Sequence, residues 1–174
     1  MKPRICCLIM AAALLSMLGM TGASSITHAS GAVPSIPAMP ASLESKARRL
    51  EGTWQVQVTL QNCQTGAAIR TAPAFLTFAQ GGTLVETTTV FSSSQRSPGH
   101  GFWEHMGGKS FKAVSKAFLF NPDGTWAGTQ TLTQAIEFGD DPDVFNSTAT
   151  TEIVAPNGTV ILSGCATAVA HRVE

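Results

Sequence analysis

"GTWQVQVTL", residues 52–60, alternates without a break: Trp54, Val56, Val58 and Leu60 fall on one face of an extended chain, and Thr53, Gln55, Gln57 and Thr59 fall on the other. Successive side chains of a strand point to opposite sides of its sheet, so the pattern predicts a β-strand with one buried and one wet face. Turn signals then recur downstream, at "QTG" near 65, "QGG" near 81, "SPG" near 98, "MGGK" near 107, "NPDG" at 121–124, "GDDPD" at 139–143 and "APNG" at 155–158. They divide the chain into eight strands, at 53–62, 70–79, 83–91, 99–106, 109–120, 125–138, 144–154 and 159–173. "FKAVSKAF" also sets Phe111, Val114 and Phe118 on a helical stripe, but the two-glycine turn before it and "NPDG" after it favour a strand. Upstream, "LESKARRLEG" predicts a short N-terminal helix, with Ser42 as its N-cap and Gly52 ending it.

Eight sequential strands on short turns predict an all-β fold, an eight-stranded antiparallel up-and-down barrel. A two-sheet sandwich would show similar strand counts, and pairing of the first strand with the last separates the two. In an antiparallel pair the numbers of opposed residues sum to a constant, and that sum is 228 for Cys63 with Cys165 and 226 for Trp54 with Arg172. The near-identity of the two sums makes the first and last strands neighbours, which closes a barrel. Cys63 and Cys165 are the only cysteines beyond the N-terminal region, and a disulfide between them is expected if the chain is secreted.

Secretion is the reading of the N-terminus. Lys2 and Arg4 precede an apolar run from Ile5 to Met20, and small residues follow in "TGASSITHAS". This predicts a signal peptide over residues 1–29, cleaved after Ala29 or, alternatively, after Ala23. The run is too short to span a bilayer, and Cys6 and Cys7 lie at its start rather than after it, where a lipidated cysteine would stand. "GAVPSIPAMPAS" then reads as a flexible leader over residues 30–42, with the barrel domain at 43–174. Without Lys2 and Arg4, nine basic residues face eleven acidic ones, a net charge of about −2 with no basic patch for nucleic acid. A secreted or periplasmic location follows as an expectation.

Gly52-Thr53-Trp54, at the start of the first strand after a helical turn, resembles the G-x-W motif of the lipocalins and wider calycins. Arg172, late in the last strand, is placed like the arginine that packs across that tryptophan in the family. The resemblance implies a calycin-like secreted bacterial barrel, structural roles for Gly52 and Arg172, and Trp54 at a closed end under the Arg172 cation. It departs from the lipocalin pattern in having no tyrosine, hence no T-D-Y turn.

"GHGFWEHMGG", residues 99–108, gathers the polar groups that invite a chemical reading. On a strand, His100, Phe102, Glu104 and Met106 face one way and Trp103 and His105 the other, and residues four apart lie roughly 13 Å from each other. His100 and Glu104 therefore cannot share a metal ion, whose ligands stand about 2 Å away. Either Trp103 and His105 or His100 and Glu104 look into the barrel, but not both pairs. His100, Glu104 and His105 stay as catalytic candidates, and Glu86 and Arg70 join them as residues that could line a mouth or point inward. No cofactor or metal is expected. The one alternative, which the calycin resemblance permits, is haem held by His105 or His171.

The apolar face gives the better lead. Trp54, Val56, Val58, Leu76, Phe78, Trp103, Trp126, Leu132, Ile136 and Leu162 are candidates to line the interior. Among them Trp54, Val56, Val58, Phe78, Trp103, Trp126 and Leu132 are the expected ligand-binding set. An eight-stranded barrel can be filled by its own side chains or can hold one small ligand. Three functions follow: a carrier of a small hydrophobic molecule, an enzyme working in the barrel lumen (an isomerase, a cyclase or a haem enzyme), or a packed interaction module.

Overall fold

The structure is a computed structural model and describes residues 48–174. The signal peptide, the leader and the first half of the expected helix lie outside the described residues. Where that helix was expected to end, the chain forms a single 3-10 turn, Arg48–Leu50.

Eight strands follow: β1 (Gly52–Gln61), β2 (Ala68–Phe78), β3 (Thr83–Thr88), β4 (Gly99–Gly107), β5 (Ser110–Phe120), β6 (Trp126–Phe138), β7 (Val144–Val154) and β8 (Val160–Arg172). Each pairs antiparallel with the next, and β8 returns to β1, so the sheet closes as an up-and-down barrel. In the β1–β8 ladder Trp54 faces Arg172, as expected from the sequence, while Cys165 faces Gln61, two residues short of Cys63. Cys63 and Cys165 are joined, with Cα atoms 5.3 Å apart, just past the end of that ladder. β5 is a strand throughout: Phe111, Ala113, Ser115, Ala117 and Leu119 turn inward, while Lys112, Lys116 and Phe118 turn out.

One expected strand is shorter than its alternation suggests. β3 stops at Thr88 rather than continuing to residue 91, and residues 89–98 leave the sheet as a loop. Two backbone hydrogen bonds tie this loop to the end of β5, Ser97 N to Phe118 O and Phe120 N to Gln95 O.

The two ends of the barrel differ. At one end Trp54, Phe78, Trp103, Phe111, Phe138 and Phe145 form an aromatic plug with ring centroids 4.8–6.3 Å apart. The 3-10 turn lies beneath it and buries Leu50, whose carbonyl accepts the Trp54 Nε1 hydrogen bond at 2.9 Å. Arg172 seals the same end: its guanidinium sits 4.2 Å from the Trp54 ring centroid and donates to Glu51 O, Arg49 O and Asp143 Oδ1. The opposite end carries the 62–67 turn, the 89–98 loop and the β5–β6 and β7–β8 hairpins.

Candidate functional site

Above the plug the barrel is hollow. A cavity of about 690 Å³ runs from the plug to the opposite end, within the range of small-molecule sites. It reaches the surface beside Ile69 and Leu162, both exposed, next to the disulfide. Its wall is mainly aliphatic, with Val56, Val58 and Leu60 from β1, Leu76 from β2, Leu132 from β6 and Ile153 from β7. The hollow exists because several inward positions carry almost no side chain: Ala74 on β2, Ala149 on β7, and Gly164, Ala166 and Ala168 on β8. Larger residues at those five sites would fill the barrel.

Of the expected ligand-binding set, Val56, Val58 and Leu132 stand on the cavity wall. The aromatic members stand off that wall: Trp54 is at the closed end under Arg172, as the G-x-W resemblance implies, and Phe78, Trp103 and Trp126 are also away from the cavity. Trp54, Phe78 and Trp103 are packed in the plug beneath the cavity, because large rings at the ends of β1, β2 and β4 meet one another where the barrel is closed by the 3-10 turn. Trp126 is 49% exposed at the tip of the β5–β6 hairpin, where a register shift between Leu119 and Phe120 swings it off the interior and Nε1 donates to Gly128 O at 2.7 Å. Of the other interior candidates, Leu76 and Leu162 line the cavity, while Ile136 belongs to the plug.

The question posed by residues 99–108 has an answer in the parity of β4. Trp103 and His105 turn inward, and His100 and Glu104 turn out. His105 lies at the plug end, its ring 4.9 Å from that of Phe111 and its Nε2 3.2 Å from Gly108 O. Glu104 pairs with Lys112 across the outer wall at 3.6 Å, and His100 opposes Lys116 in the ladder. His100, Glu104 and His105 therefore converge on nothing, and none of them lines the cavity. His171 is exposed on β8 opposite Gln55. Among the described residues no group of three or more His, Cys, Asp or Glu is placed to hold a metal ion.

The ionic chemistry inside the cavity is elsewhere. Glu86, on the inward face of β3, is 3% exposed and forms an ion pair with Arg96, which is 7% exposed and reaches in from the 89–98 loop. Arg96 also donates from Nε to Gln130 Oε1 at 2.6 Å and from Nη1 to Ser97 O at 3.2 Å, so all three of its nitrogens are engaged. Gly99 makes the pair possible: it faces Glu86 across the ladder, and a Cβ there would come within 2.1 Å of Glu86 Oε1. Arg70 lies at the mouth and donates to Val90 O. No protein-family model and no curated protein matches this chain.

Glu86 and Arg70 were legible as candidates, but Arg96 was not, because it lies in a serine-rich turn rather than on a strand. One signal could have found it. Glu86 shares strand parity with Leu84, and a carboxylate on an apolar face needs a buried cation, which a loop can supply. Gln134 on β6 and Ser147 on β7 also line the cavity.

Proposed function

We propose that the chain is a secreted or periplasmic carrier that binds one small hydrophobic molecule inside a calycin-like barrel. The observation that carries this reading is the 690 Å³ cavity, open at one end and walled largely by aliphatic side chains. Burying apolar ligand surface against such a wall is favourable at about 25 cal/mol per Å², and the wall is already assembled. A packed interaction module would place larger side chains where Ala149, Ala166 and Ala168 stand. The calycin reading is supported by three residues acting together: Gly52 leaves room for Arg172, Arg172 covers Trp54, and Trp54 closes the barrel. Export is supported by the basic, apolar and small-residue pattern of residues 1–29 and by a disulfide, which persists in oxidising compartments.

Native mass spectrometry of the protein purified from its own source tests the carrier reading. A non-covalently retained molecule that is released on denaturation is the expected result. Protein at its bare mass, with no saturable uptake of added apolar probes, would overturn it.

A further inference from the structure

The carrier reading leaves the ligand's chemistry open, and two side chains at the inner end of the cavity narrow it. Along β6 the inward residues above the plug are Gln134, Leu132 and Gln130, with Ile136 and Phe138 below in the plug. Along β7 they are Ser147, Ala149 and Thr151, with Phe145 below. Gln134 and Ser147 are thus the residues of β6 and β7 that a molecule reaches at the floor. Gln134 opposes Ala149 in the ladder and Ser147 opposes Ile136, which makes the two diagonal neighbours, with Cα atoms roughly 7–8 Å apart. One polar group can reach both.

Both side chains line the cavity, are 4% and 5% exposed, and leave Gln134 Nε2 and Ser147 Oγ without a hydrogen-bond partner among the described residues. Buried amide and hydroxyl groups are almost always paired, because an unpaired one forfeits its hydration. The contrast with Gln130 is direct: two inward positions further up β6, beyond Leu132, the same amide is satisfied on both sides, accepting from Arg96 and donating to Thr151 Oγ1 at 2.9 Å. The charged pair inside the cavity is already balanced. Glu86 neutralises Arg96, every Arg96 nitrogen donates within the protein, and a carboxylate brought to Gln134 would be a buried charge without a counter-ion.

We propose that the cavity takes an uncharged lipid-like molecule, a long-chain alcohol, ketone or ester, with its oxygen-bearing end at Gln134 and Ser147 and its apolar body along Val56, Val58, Leu132 and Ile153. This rests on the carrier reading above. The amide donates to the ligand oxygen, the serine hydroxyl donates or accepts, and the ligand enters polar end first.

The test uses the oxidised protein and a neutral apolar fluorophore, N-phenyl-1-naphthylamine, displaced by dodecanol or by dodecanoate at pH 8. In the wild type both the fluorophore and dodecanol bind. In Gln134→Leu, dodecanol affinity falls three- to tenfold, the range one hydrogen bond supplies, while the fluorophore binds equally or more tightly and any dodecanoate binding is unchanged. Ser147→Ala gives a smaller loss of the same sign and serves if Gln134→Leu does not fold. Dodecanol affinity unchanged in the folded variants, or dodecanoate weakened as much as dodecanol, would overturn the proposal while leaving the carrier reading intact. Failure of the wild type to bind either the fluorophore or dodecanol would overturn both.

Discussion

At Gly52 two constraints coincide: φ is +121°, and a Cβ would lie 2.8 Å from Arg172 Nη1. The glycine is needed both for its backbone and for the space it leaves to the arginine that seals Trp54. Gly52→Ala should therefore cost about 1–3 kcal/mol in urea unfolding, the range for a residue held in a sparsely populated backbone region. A change under about 0.5 kcal/mol would mean that neither the backbone nor the arginine requires a glycine there. Glu86 and Arg96 pose a different problem, since each is buried and each depends on the other. Removing one partner, as in Arg96→Met or Glu86→Gln, should cost about 3–5 kcal/mol, because a single variant leaves a buried charge or its hydrogen-bonding partners unmatched. The double variant should cost clearly less than the two single losses together. Strict additivity in the double-mutant cycle would show that the pair is not coupled.

At the scale of elements, the seam between β1 and β8 is what distinguishes a barrel from an open sheet. The disulfide closes it across a sequence separation of 102, which the loop-entropy account converts into as much as about 4.7 kcal/mol. Reductant should lower the wild-type Tm by on the order of 10 °C, and Cys63→Ser should show the lower Tm with or without reductant. Equal wild-type melting in both conditions would remove the staple from the account. The β5–β6 hairpin offers a pH test. Asp123 accepts hydrogen bonds from Thr125 Oγ1 at 2.6 Å and from Thr125 N at 2.9 Å, and these hold its carboxyl below the ordinary aspartate value. A depressed folded value means that this support is present above the ordinary value and is lost as pH falls through the depressed one. A carboxyl-carbon titration should place the Asp123 midpoint below that of a free aspartate, and a midpoint above it would contradict the turn. The strands themselves were largely legible, since residues 52–60 alternate with large apolar side chains. β5 was harder, because Ala113, Ser115 and Ala117 face inward while Val114 and Phe118 do not, so small residues blur its period. The shortening of β3 was not legible at all, as it depends on a loop folding back onto β5 to deliver Arg96.

At the scale of the whole molecule, a barrel with eight strands stands between filled and hollow, and small residues tip this one. Sequence reading directs attention to Phe78 and Trp103 as a ligand lining, because large apolar rings dominate any hydrophobic face. Those rings close one end instead, and the space above them is left by Ala74, Ala149, Gly164, Ala166 and Ala168. Absence of volume is hard to read from sequence, since an inward alanine and an outward one look alike until the register is known. The most direct measurement of the hollow barrel is a fluorescence titration with N-phenyl-1-naphthylamine of the wild type and of Ala149→Trp, whose indole occupies the middle of the cavity. Saturable one-to-one binding to the wild type and at least tenfold weaker binding to the variant are expected, with the same β-sheet circular dichroism in both. Saturation absent in the wild type, or equal in the two proteins, would contradict the hollow barrel.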